Sequence, residues 1–271
     1  MKKILLPLLS LSILISTMLN AMAPKELLKK VITSNLTFCS LVYGINHLYQ
    51  TSKLEKEING QVLQDPARIA QVQEFLAKSG IKNPETFRFI KGEWATNGPQ
   101  KVIWAPESLA VTNKQIAKDR FFSAHEAGHI QHHDLTKSHV LSMGLIWSTI
   151  NVQEYITKHY KGWSRYNRLS LLWGLYALTN TPIQRAYGRQ QEKNADMYAA
   201  DIVQDPAIVQ AAANHYAKSA LEQYYYKLMI ENKPNDSSIF EQLYSTHPSD
   251  LKRAYYLSQH AKDLRARSKS D

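Results

Sequence analysis

Residues 123–134 read "SAHEAGHIQHHD": His125 and His129 stand four apart, Glu126 adjoins the first, and His132 and His133 follow closely. On a helix, residues i and i+4 lie one turn apart on one face, so both imidazoles can aim a ring nitrogen at a single zinc ion. Glu126 then projects beside the metal rather than at it. That is where a general base must stand to take a proton from water whose pKa the metal lowers toward 7. Gly128 fits the same scheme, because a missing side chain lets another segment pack close to the ligand-bearing turn. His132 and His133 sit a full turn, about 5.4 Å, beyond His129 and read as solvated or packing residues. Taken alone, the stretch also suits a histidine-rich polar helix face.

A zinc site that does chemistry needs a third protein ligand and leaves the fourth position for water. The segment "QEKNAD", residues 191–196, sets Glu192 and Asp196 at i and i+4. Glu192 can reach the metal, while Asp196, one turn on, can accept a hydrogen bond from the far nitrogen of a ligating histidine and fix its tautomer. The small residues Ala195, Ala199 and Ala200 let this second helix come close to the first. By itself a Glu-x-x-x-Asp pair is common on solvated helices.

The bulk numbers bound these readings. The chain has 271 residues, 44% of them apolar and 21% charged, enough for a sizeable core in one globular domain with appendages. One cysteine, Cys39, excludes an internal disulfide framework and any cysteine-built zinc site, so a metal must be held by His, Asp or Glu. The net charge of +10 favours contact with an anionic membrane surface. Its Lys and Arg are spread along the chain rather than gathered in a stripe, and no nucleic-acid partner is expected.

Residues 1–23, "MKKILLPLLSLSILISTMLNAMA", carry two lysines, an uncharged apolar run and a small-x-small ending, the pattern of a bacterial export signal. Pro24 after the cut, and a run long enough to span a bilayer, leave two readings open: a cleaved signal peptide or a retained anchor. Either places the chain in the periplasm or cell envelope, the second tied to the inner membrane. Residues 24–86 read as an N-terminal helical region, including an amphipathic or buried helix over 31–52. Ile69, Val72 and Leu76 carry helical spacing, stopped at Gly80, with a loop at Pro84.

From residue 87 to 112 the character changes to short β-prone runs, "FRFIKG", "KVIWA" and "SLAVT", separated by "NGP" and "APE". Asn113 can cap a helix running through the opening motif to about Asp134. Two apolar runs, 139–152 and 169–180, predict a helical hairpin, buried or dipping into a membrane. Thr181 as cap and Pro182 at the first helical position predict a helix start there, Asp205-Pro206 a break, and 206–232 a further helix. The expected fold class is α+β, mainly helical, with a small sheet before the H-E-x-x-H helix. No internal repeat is visible. The tyrosines of "LEQYYYKL" and "RAYYL" read as helix-face packing with polar tips, with Tyr255 or Tyr256 as an alternative oxyanion donor.

"HEAGH", then "EKNAD", then "THPSDLKR" resemble, in that order, the motif set of the HtpX and BepA type of zinc endopeptidases, relatives of the CAAX prenyl proteases. The resemblance covers roughly residues 85–260 and implies a zincin-type metallopeptidase domain, whose expected bounds are 87–271. It implies one Zn2+ per chain on His125, His129 and Glu192, Glu126 as base, and Asp196 behind the ligands. His247 would lie near the active site, covering the metal or helping the oxyanion, where the residues alone read as a helix-capping loop beside Pro248. Arg253 would bind substrate or fix the site. "SLAVTN" resembles the family's edge strand, which holds a peptide by adding it as another strand. The activity implied is endopeptidase cleavage of misfolded or unassembled envelope proteins. The alternative is a zinc-containing chaperone or scaffold without turnover, which would need the ligands but no base.

Overall fold

The computed structural model describes residues 62–106, 113–159, 162, 164–230 and 247–269. The export signal or anchor, the helix expected over 31–52, Cys39 and the "SLAVT" strand lie outside the described residues. The chain divides into two units, one of residues 54–139 and 181–271, the other of residues 1–53 and 140–180.

The first unit holds the sheet and most helices. Helix α1, Pro66–Lys78, starts with Asp65 accepting from the Arg68 backbone N–H at 3.1 Å and with proline in its first turn. It buries Val72, Phe75 and Leu76. It stops where expected: Gly80 takes φ +71°, a conformation that costs glycine little. After a 3-10 turn at Pro84–Thr86 come β1 (Arg88–Lys91), β2 (Ala95–Asn97) and β3 (Val102–Ala105). β3 lies in the middle, parallel to β1 (Phe89 opposite Ile103) and antiparallel to β2 (Thr96 opposite Ile103). β2 falls partly within a stretch read as a separator. It is only three residues long, too short for alternation to reveal, and Asn97 closes the turn behind it by accepting from the Gln100 N–H at 3.2 Å.

Helix α2, Asn113–Gln131, carries the opening motif. It does not run through to Asp134, as the sequence led us to expect. His133 takes φ 53°, and Asp134 begins α3, Asp134–His159. The next correction is at Pro182. It does not open a helix but lies inside α4, Arg165–Val203, where the helix absorbs the missing N–H and the clash with the preceding turn. Helix α5, Pro206–Ile230, follows the Asp205-Pro206 break, with Asp205 accepting from the Ala207 N–H at 2.8 Å. Helix α6, Asp250–Arg267, is capped by Ser249.

α1 and the sheet pack with α2, α5 and α6 around Phe75, Leu76, Ile103, Phe121, Val209 and Leu257. The first two helices of this unit are also joined by a buried ion pair, Arg68 Nη2 to Asp119 Oδ2 at 2.6 Å. The observed class is α+β, mainly helical, with a small three-stranded sheet before the motif helix. In the second unit, the residue 140–159 part of α3 and the 165–180 part of α4 are linked by Asn180 Nδ2 and Thr149 Oγ1 at 3.5 Å. No helix among the described residues is long and apolar enough to cross a membrane.

Candidate metal centre

Two helices converge on one point. His125 and His129 on α2 face each other with Nε2 to Nε2 at 3.0 Å, their rings nearly perpendicular. That separation suits a shared N–H···N hydrogen bond and equally two ligand atoms of one ion. Glu192 of α4 completes the group: Oε2 lies 3.6 Å from His125 Nε2 and Oε1 lies 3.4 Å from His129 Nε2. Tetrahedral zinc, with ligands at about 2.0–2.1 Å, separates its ligand atoms by about 3.4 Å. The three separations bracket that value, so the donor set fits zinc, and it is the one group of this kind among the described residues.

Close helix approach is what brings Glu192 in. A Cβ added at Gly128 would stand 3.3 Å from Ala195 Cα and 3.1 Å from the Tyr198 ring, so only glycine leaves room for α4 here. Ala195 and Ala199 are fully buried on the facing side.

Each histidine has a carboxylate behind it. Asp196 Oδ1 lies 2.9 Å from His125 Nδ1, a close contact although the ring N–H is not well aligned for a hydrogen bond. Asp134 Oδ2 lies 2.8 Å from His129 Nδ1 and is properly hydrogen-bonded. Reading the sequence did not identify Asp134, the last residue of the opening stretch. Its side chain reaches back to His129 across the left-handed residue His133 that separates α2 from α3. Gln191, the neighbour of Glu192, donates to the Asp134 carbonyl at 2.8 Å and accepts from Ser138 Oγ at 2.8 Å, which pins that turn to α4.

Asp196 is fully buried and must be compensated. Arg253 of α6 does so with a two-pronged contact, Nε to Oδ2 at 2.8 Å and Nη2 to Oδ1 at 2.7 Å, and the Tyr256 hydroxyl donates to Oδ2. The remaining arm, Arg253 Nη1, lies 3.4 Å from Glu192 Oε2. All three guanidinium nitrogens therefore support carboxylates of the site, and the Arg253 guanidinium carbon lies over the Tyr216 ring, 4.1 Å from its centroid. Tyr256 is occupied by Asp196 and Tyr255 is 68% exposed, so neither stands free as an oxyanion donor. Tyr216 and Tyr256 join the centre from helices whose sequence carries no spacing signal for it.

His247 sits at the mouth, 60% exposed, with Nδ1 3.2 Å from Glu192 Oε2. His132 packs edge-on against Tyr198, and His133 is exposed in the turn, neither of them within the metal group. Glu126 is 5% exposed and borders the same cavity as the ligands.

The charges follow from these contacts. Burial pushes the Glu126 carboxyl up, opposed by the neighbouring His125 and His129. Burial acts the same way on Glu192, but contacts with His125, His129 and His247 carry it far below the usual carboxylate range. Asp196 is likewise held low, against burial, by His125 and Arg253. The centre thus keeps Glu192 ionised, the state in which it could hold a metal, and gives Glu126 a stronger appetite for a proton.

A family model described as peptidase family M48 matches residues 64–261. The chain belongs to peptidase family M48. No curated protein and no solved structure matches it. M48 peptidases are zinc-dependent, in keeping with the His125, His129 and Glu192 group. In this M48 peptidase His125, His129 and Glu192 open onto a cavity of about 1070 Å³, bounded on the sheet side by Trp94, Ala95 and Thr96 and on the helical side by Phe122 and Tyr216. The match begins just before α1, the helix whose Arg68 is paired with Asp119 of the motif helix.

Proposed function

We propose that this M48 peptidase is an endopeptidase of the HtpX and BepA type, cutting misfolded or unassembled proteins in the bacterial envelope. The observation that carries the chemistry is the placing of Glu126, buried and with a raised pKa, beside three donor atoms at zinc-ligand spacing and on an open cavity. His125, His129 and Glu192 would hold the ion, which when bound supplies Lewis acidity, acidifying water and polarising the scissile carbonyl. Glu126 takes a proton from the attacking water as its oxygen bonds to the carbonyl carbon. It then returns that proton to the leaving nitrogen as the C–N bond breaks, giving a carboxylic acid and an amine. Asp134 and Asp196 hold the two imidazoles in the tautomer that presents Nε2, and Arg253 keeps Asp196 charged in a dry site. Arg253 is a positioning residue rather than a substrate binder.

The cavity is lined by Ala95 and Thr96 of β2, an edge strand of the sheet, to which an extended peptide could add, and this supports a peptide substrate. The envelope location rests on the lysine-led apolar run of residues 1–23, and the net charge of +10 supports contact with anionic lipid. His247 against Glu192 covers one flank of the metal centre, so His247→Ala should hold or raise activity if it shields the ion and lower it if it assists the oxyanion.

The decisive experiment is Glu126→Gln, assayed on an unfolded protein such as casein. Zinc content should stay at one per chain, while cleavage falls by about two to four powers of ten. A Glu126→Gln protein as active as wild type, or a wild type without metal-dependent cleavage of any unfolded substrate, would leave the zinc-bearing scaffold as the better reading. Sequencing of the mature N-terminus addresses location: loss of the first residues supports a cleaved signal, and an intact Met1 supports the anchor.

A further inference from the structure

Glu126 stands midway along the α2 wall of the cavity. Phe122 lies one turn before it and Ile130 one turn after, about 6 Å of helix rise in each direction, and all three border the cavity. Around Phe122 the wall is aromatic. Its ring meets the Tyr216 ring edge-on at 6.0 Å and the His215 ring at 5.7 Å, so the wall passes from α2 to α5 through neighbouring rings.

Trp94 borders the same end from the sheet side. Arg68 lies over its ring, 5.5 Å from the centroid, and the same guanidinium is bonded to Asp119, one turn before Phe122 on α2. Gln71 donates to Ser123 Oγ at 2.8 Å, so α1 runs alongside this part of α2 and holds Trp94 level with it. Trp94 and Phe122 are only partly buried against the core. The other end differs in kind: a Cβ on Gly98 would lie 3.6 Å from Ile130, and Lys101, whose N–H donates to the Gly98 carbonyl, is an exposed cation there. Aromatic surface left uncovered forgoes the stabilisation of burial, and here it is left uncovered beside the base.

We propose that Trp94, Phe122 and the Tyr216 ring form a specificity subsite that takes a large apolar side chain, aromatic or long aliphatic, from a substrate residue near the cleaved bond. The assignment rests on the peptidase reading above and names its substrate class. An extended peptide advances about 3.3 Å per residue, so a side chain one or two residues from the bond attacked at Glu126 comes level with Phe122. Side chains of this kind are buried in folded proteins and uncovered in unfolded ones. The subsite thereby sorts substrates by folding state within the cavity itself.

Quenched fluorescent peptides that differ only at the residues flanking the cleaved bond test this. For the wild type, kcat/KM should rise from Ala through Leu to Phe at the preferred position, by at least about tenfold overall. Trp94→Ala and Phe122→Ala should each cut the Phe to Ala ratio by about fivefold to tenfold. The ratio is the readout, because loss of folded protein or of zinc lowers both rates alike and leaves their ratio alone. A wild-type ratio near one overturns the assignment. So does a ratio that persists undiminished in either variant, which would place the preference elsewhere in the cavity. A wild type that cleaves casein without side-chain preference removes the subsite alone. One that cleaves neither casein nor any peptide removes the peptidase reading and the subsite with it.

Discussion

Asp134 Oδ2 stands 2.8 Å from His129 Nδ1, so the first residue of one helix orients a metal-facing imidazole on the helix before it. With Nδ1 engaged there, Nε2 is the nitrogen that faces Glu192 and His125. Such carboxylate support typically changes metal affinity or activity by about 10 to 100-fold. Asp134→Asn should therefore weaken zinc binding by about that factor, read by competition with a chelating dye. Gln191 bonds to the Asp134 backbone and survives the substitution, so the turn itself should persist. Unchanged zinc affinity would show that His129 needs no such support.

Arg253 and Asp196 form a pair whose side chains are 8% and 0% exposed. Removing one member of a buried pair strands the other charge, which costs about 3–5 kcal/mol. Arg253→Met should lower unfolding free energy by about that amount, measured by urea denaturation of the metal-free protein. Adding Asp196→Asn should recover a large part, because the stranded charge is gone. Additive losses in the double variant would mean that the pair is not coupled in this way.

How much of this centre could be read in advance depended on how local each relationship is. His125 with His129, and Glu192 with Asp196, are one-turn relationships within single helices, and the helix period alone exposes them. Asp134 escaped because reaching His129 requires a left-handed residue at His133, a position that no glycine or asparagine marks. Tyr216 and Tyr256 meet Arg253 and Asp196 only through the packing of α4, α5 and α6, for which sequence spacing holds no signal. Pro182 misled for the opposite reason: its local preference for a helix start is real, but the long helix around it prevails.

His129 sets a pH dependence for the metal-free protein. Burial acts to lower its pKa, but hydrogen bonds to Asp134 and Glu192 more than offset this and raise it to about 10. With a folded value above the ordinary 6.5, its stabilising contribution is complete below that pH and fades as pH rises toward about 10. Zinc must expel the same proton, so its apparent affinity should strengthen across that window, by up to about tenfold per pH unit for each proton released. Calorimetric titration in buffers of different ionisation heat would count those protons. An affinity flat across the window would falsify the coupling.

Gly128→Ala sets two effects of opposite sign against each other. Alanine favours a helix interior over glycine by about 1 kcal/mol, and on an open helix face that gain would decide the outcome. Here the new methyl would lie 3.3 Å from Ala195 Cα, 3.4 Å from Ala195 O and 3.1 Å from Tyr198 Cδ1. Tyr198 could rotate only by giving up its contact with His132, and the Ala195 atoms are backbone of the helix that presents Glu192. Overpacking against backbone costs about 1–3 kcal/mol, so the loss should exceed the gain. The strain is relieved most easily by moving α4 outward, and that motion draws Glu192 away from His125 and His129. Gly128→Ala should thus lose zinc affinity more than it loses stability, where a substitution remote from the centre would lose stability alone. Measuring both on one preparation separates the cases: a more stable protein with full zinc affinity would mean that α4 yields freely and that the close approach does not hold the third ligand in place.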